Sequence, residues 1–168
     1  MKGKFSKRSK GFLKKARERI ADRQKEMLSD AADLLFENSP HFEPRAVPGK
    51  YGEIEIMNVG SAGGMARGQY DANHVAKVTR KGRTVVEGPA TTPVPLMSRA
   101  MSEGRIEQAK ARLEYIRCGD KGTIHNETPH ADAVEHGGEH WTVTEPYRTY
   151  EKTSLHLKQI YGKRKEKL

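Results

Sequence analysis

Between residues 9 and 38 the apolar side chains include Phe12, Ala16, Ile20, Met27, Ala31, Leu34 and Leu35. Most steps between them are three, four or seven, the spacing of one face of an α-helix. No glycine or proline interrupts the run after Gly11, and Pro40 follows its end. A helix of about 30 residues is roughly 45 Å long, more than a small core needs. Apolar residues are sparse before Met27 and dense from Met27 to Phe36. The second half is therefore expected to pack on the domain, while the first half projects or lies on a neighbour.

The pattern then changes period. Residues 42–50 (FEPRAVPGK) read as a Pro-punctuated connection. Ile54 and Ile56 alternate with Glu53 and Glu55, the period of a half-buried strand. Residues 60–69 hold four glycines without periodicity and predict a flexible loop. It is no phosphate loop, because no Gly-Lys-Ser/Thr follows. Residues 74–88 place Val75 and Val78, then Val85 and Val86, around a Lys81-Gly82 turn. That predicts a hairpin or an extended arm able to pair with a neighbouring sheet edge, ended by prolines 89, 93 and 95.

Ile106, Ala109, Leu113 and Ile116 follow one another at steps of three, four and three, so 96–116 predicts a second helix. Gly104 inside it costs about 1 kcal/mol against alanine and marks a bend or a close approach. Thr123 to His125 then read as a strand end, Asn126 as a polar corner closed by an Asx-type bond, and 128–137 as a short helix. In that helix Thr128 is the N-cap, Pro129 the first helical residue, and Gly137 the left-handed stop. Ala131 and Val134 share its apolar face. Trp141 is expected to anchor a loop, and the Tyr- and Thr-rich 147–157 to form a last strand. No internal repeat is present.

Composition qualifies this picture. The 168 residues are 35% hydrophobic and 32% charged, with a mean hydropathy of −0.85. That leaves a small core for the length, so part of the chain is expected to order against a partner. The net charge is +9. Residues 1–25 carry eleven positive side chains against Glu18 and Asp22, and this segment alone accounts for the excess. The tail 161–168 is basic as well. Two basic ends on a balanced body suggest an acidic partner or nucleic acid, or solvated termini. Lys7, Arg8, Lys14, Lys15 and Arg19 are the candidates for such electrostatic contact. The helix lacks a helix-turn-helix partner, zinc ligands or a stacking platform, so DNA contact would be to the backbone.

One cysteine, Cys118, excludes an intrachain disulfide framework and reads as a buried structural thiol. No apolar run reaches the ~18 residues of a membrane span, and no signal-type apolar segment follows the basic start. His130, His136 and His140 lie near Glu135 and Glu139, but six residues separate His130 from His136 and Gly137-Gly138 divides His136 from His140. Neither an HExxH nor a paired-cysteine spacing occurs, so no metal and no cofactor is expected. Glu135, Glu139 and Glu145 with His140 offer carboxylates and a base, but nothing in the spacing fixes a catalytic geometry. No enzyme is expected.

The run Asn126, Pro129, His130, Ala131, Val134, Glu135, Gly137 resembles the HK97 gp10-like family of phage neck and tail-completion proteins. The resemblance covers roughly the last third of the chain. It departs from the family pattern at His130, where a tyrosine is usual, and in the longer Pro- and Gly-rich segment after Ser39-Pro40. It implies a virion protein forming a ring at the neck or head-proximal tail end, assembled in the host cytoplasm. The ring would be a hexamer or a dodecamer, joining the connector or adaptor proteins to tail-tube or terminator proteins. Asn126, Pro129, Ala131, Glu135 and Gly137 would hold the structural corner, and Met65 and Arg67 would reach a neighbouring subunit. The alternative is a non-enzymatic nucleic-acid-binding accessory protein. The expected architecture is an α+β domain over 26–160, with a long N-terminal helix and a second helix on a small antiparallel sheet. A basic helical arm (1–25), a loop or hairpin excursion (60–92) and a basic tail (161–168) complete it.

Overall fold

The computed structural model describes residues 7–40, 44–48, 54–58, 69–90, 99–128, 131–137 and 146–162. The chain is α+β. Helix α1 (Lys7–Asn38) is 32 residues long. It is followed by strands β1 (Pro44–Pro48) and β2 (Ile54–Asn58), which pair antiparallel from Pro44 opposite Asn58 to Pro48 opposite Ile54. The connection expected over 42–50 is thus in part a strand, its prolines at the two ends where the loss of an N–H is tolerated.

Next come the one-turn helix α2 (Gln69–Ala72), strands β3 (His74–Arg80) and β4 (Arg83–Gly88), and helix α3 (Arg99–Leu113). Strand β5 (Lys121–Asn126), helix α4 (Ala131–His136) and helix α5 (Thr149–Gly162) complete the order. The main sheet is antiparallel with order β4-β3-β5. The hairpin turns at Lys81-Gly82, both with positive φ. It is not an extended arm: β3 is the central strand, and Val75, Ala76 and Val78 are buried.

The core lies between β3 and α3. Ile106, Ala109, Leu113 and Ile116 are all buried, and the last three pack with Ala76 and Val78. This is the stripe that the sequence periodicity predicts. Gly104 faces open space, so a close approach does not explain it. Gly122 is different. A Cβ there would lie 2.4 Å from Leu28 Cδ1 and 2.8 Å from Ile116 Cδ1, so α1 and the end of α3 reach β5 only because the side chain is missing. Arg80 grips Asp120 with two hydrogen bonds of 2.8 and 2.7 Å, pinning the end of β3 to the turn before β5. Those bonds hold the Asp120 carboxyl below its usual range.

Two expectations fail. The expected strand over 147–157 is instead helix from Thr149 onward, the first part of α5. Thr149, Thr153, Leu157 and Tyr161 recur every four residues, and the first two are buried. β-branched and aromatic residues favour strands on average, but here the burial period decides. Cys118 is exposed rather than buried, in the turn between α3 and β5.

Candidate functional site

Two places gather the residues singled out by sequence. The first is the corner after β5. Asn126 Oδ1 accepts from the Thr128 amide (3.0 Å) and the Thr128 hydroxyl (2.7 Å), the Asx-type closure expected there. Its Nδ2 donates to the Tyr70 carbonyl at 2.7 Å, tying the corner to α2. The Thr128 carbonyl accepts from the amide of Ala131, the first residue of α4, at 3.0 Å. Gly137 ends α4 with φ of 75°, the left-handed stop, its amide bonded to the Ala133 carbonyl. Pro129 lies outside the described residues.

Glu135 is buried at the centre of this corner. One carboxylate oxygen accepts from the Tyr70 hydroxyl. The other accepts from the Tyr150 amide at 3.1 Å, in the first turn of α5. An acid from α4 therefore caps α5, satisfying an orphan N–H and meeting the positive end of the helix dipole. Burial, and then Glu135, push the Tyr70 phenol far above its ordinary value. The same two causes act on Tyr150.

Behind Glu135 lies a polar cluster that no periodicity signals. Tyr70, Asp71, Ala72, Asn73 and His74 are consecutive and fully buried. Asp71 is held by Arg99 (3.3 Å) and by the Ser102 hydroxyl (3.1 Å), both from α3. Arg105 donates to the Ala72 carbonyl at 2.6 Å, and the Arg99 guanidinium stacks 3.9 Å from the Phe36 ring centre. His74 bonds Ser39 Oγ through Nε2 (2.7 Å) and the Tyr150 hydroxyl through Nδ1 (3.1 Å). The only sequence sign of this cluster is a run of Asp, Asn and His directly after the glycine-rich segment.

The second place is the first half of α1. Lys14 and Glu18 approach to 3.8 Å with both side chains exposed, and Lys15 and Arg19 are exposed. Lys7 and Arg8 belong to α1, but their side chains lie outside the described residues. A groove of about 570 Å³ has Lys10, Lys14, Arg17 and Lys25 together with Glu18 and Asp22 on the α1 wall, and Ile116, Arg117 and Cys118 on the other. Phe12, Leu13 and Ile20 are 72%, 43% and 57% exposed. Met65 and Arg67 lie outside the described residues, as does Trp141.

The histidine and carboxylate groups expected to be without catalytic geometry are only partly described. His136 is exposed, 3.8 Å from Asp132, and both oxygens of Glu135 are engaged as above. Among the described residues, Glu87, His125 and Glu127 come nearest to a metal-ligand set. Lys77 Nζ lies 3.0 Å from Glu87, and within the set His125 Nε2 lies 3.0 Å from Glu127. No helix among the described residues is long and apolar enough to cross a membrane. Set against known protein families, curated proteins and solved structures, the chain gives no match, so its fold and sites stand on its own residues.

Proposed function

We propose that this protein is a structural component of a larger assembly: a ring at a phage neck or head-proximal tail end that joins the connector to the tail. One observation carries the reading. α1 is far longer than the core it serves, and its first half leaves Phe12, Leu13 and Ile20 in solvent among basic residues. Water-exposed apolar side chains at helical spacing on a projecting helix mark a surface that another molecule covers. The buried polar corner supports the same reading, since every described polar group of Glu135 and Asn126 is spent on holding elements together. Heterologous contacts that close generate rings, and a projecting helix can reach the next copy. In this reading the chain acts in the virion after assembly in the host cytoplasm.

Negative-stain imaging and analytical ultracentrifugation of the purified chain, alone and with a tail-tube protein, test the proposal. Closed rings or a stoichiometric complex are expected. A species that stays monomeric at high concentration and ignores tail proteins would overturn it. The second reading, backbone contact with DNA, draws on the excess of Lys10, Lys14, Arg17 and Lys25 over Glu18 and Asp22 along the α1 side of the groove. It requires DNA binding that falls steeply with salt and assembly that depends on DNA.

A further inference from the structure

α1 carries two stripes offset by one residue, which is about 100° around the helix axis. The core stripe contains Ala21, Leu28, Ala32 and Leu35, of which all but the half-buried Leu28 are buried. The other stripe runs Leu13, Ala16, Ile20, Arg23, Met27, Asp30, Leu34 at alternating steps of three and four. This is the register of a helix–helix seam. From Arg23 onward the seam is occupied by α5, which runs antiparallel to α1. Asn38 Nδ2 donates to Thr153 Oγ1 at 3.4 Å, and the Tyr161 hydroxyl donates to Asp30 at 2.5 Å. The Arg23 guanidinium lies 5.4 Å from the Tyr161 ring centre. α5 ends one residue later, at Gly162. The same seam continues past that end as Ile20, Ala16 and Leu13, with Ile20 and Leu13 exposed.

The charges beside this open seam are predominantly positive. Helical periodicity sets Lys15 and Arg19 along one side, with Asp22 behind Lys15, and Lys10 and Arg17 along the other, while Glu18 falls on the far face. We propose that the open seam, Leu13 to Arg23, docks an acidic amphipathic helix of another protein, seated end to end with α5. This deepens the assembly reading, on which it rests for expecting a partner. Charge selects the occupant. A second copy of α1 would set like charges against each other, and the residues after Gly162, KRKEKL, are basic and complement the seam no better. Nucleic acid would meet the lysines but leave Leu13 and Ile20 wet. A helix about 10 Å across continues in line with α5, whose contacts with α1 end at Arg23 and Tyr161. In such a pair the apolar residues supply burial and flanking carboxylates meet Lys10, Lys15, Arg17 and Arg19.

The test uses the full chain and a fluorescent 21-residue synthetic helix with leucine at the seam positions and glutamate flanking them. A second peptide has lysine in place of every glutamate. Anisotropy titration in low salt is expected to give micromolar binding for the acidic peptide and none for the lysine peptide. Ile20→Glu should weaken binding at least tenfold, and Leu155→Glu, an exposed site of equal charge change on α5, should not. Circular dichroism of both variants verifies the fold. Equal binding of the two peptides, or indifference to Ile20→Glu, would sink the proposal. So would preferential use of the seam by phosphatidylserine vesicles, by a 20-base-pair duplex, or by a second copy whose association Ile20→Glu abolishes. That last result would leave the assembly reading standing. Peptide binding in a chain that never forms rings or captures tail protein would do the reverse.

Discussion

Ser39 Oγ sits 2.6 Å from the Leu35 carbonyl and must donate to it. It can then only accept from His74, which puts the imidazole proton on Nε2 and makes Nδ1 the acceptor for the Tyr150 hydroxyl. Complete burial favours this neutral form and pushes the His74 pKa down from 6.5 to about 3. In the unfolded chain the group protonates below about pH 6.5, and in the folded protein only near 3. Its contribution to stability is therefore whole above pH 6.5 and lost as the pH falls towards 3. Urea unfolding at pH 7.5 and pH 5 should differ by about 2 kcal/mol, at ~1.4 kcal/mol per pH unit below 6.5, and His74→Gln should remove most of the difference. Glu135 offers a second test. Glu135→Ala leaves the Tyr70 hydroxyl and the Tyr150 amide without their acceptor and is expected to cost about 2–4 kcal/mol. Glu135→Gln keeps an acceptor and should cost roughly half as much by thermal or urea melts. A Glu135→Ala protein as stable as the wild type would remove the corner's structural role.

Among the elements, the helices show how far spacing alone can be trusted. α3 was legible because Ile106, Ala109 and Leu113, with Ile116 just after it, are apolar at helical steps and all buried, the last three against Ala76 and Val78 of the sheet. α5 was not, because its local composition favours a strand and its N-terminus is completed by a carboxylate fifteen residues away in sequence. The two glycines of this region make opposite predictions. Gly104 lies exposed in mid-helix with nothing near its missing Cβ, so Gly104→Ala should stabilise by about 1 kcal/mol. Gly122→Val must displace Leu28 and Ile116 and should cost about 1–3 kcal/mol. Denaturant midpoints of the two variants, moving in opposite directions, would check both.

At the scale of the whole molecule, the basic charge and the packed core occupy different places. The first described core residue of α1 is Ala21, so removing residues 1–14 takes away charge and the exposed Phe12 and Leu13 but, among the described residues, no core side chain. Such a truncated chain should melt within about 0.5 kcal/mol of the full-length protein, as surface changes usually do. It should also fail to assemble in the imaging experiment. Unfolding of the truncated chain would contradict a projecting arm.

The sequence by itself determined what depends on neighbours along the chain. This includes the long helix, the hairpin around Lys81-Gly82, the core stripe of α3, the turn at Asn126 and the uneven charge. Periodicity and turn chemistry are local, and they act before any tertiary contact forms. Only the tertiary structure decided which of two offset stripes on α1 meets the core, because both carry apolar residues at helical spacing and one-dimensional spacing does not rank them. It also decided that Tyr70 to His74 is buried and that 149–157 is helical. In each case a partner distant in the chain supplies what the local residues lack: Arg99 for Asp71, Ser39 for His74, Glu135 for the start of α5.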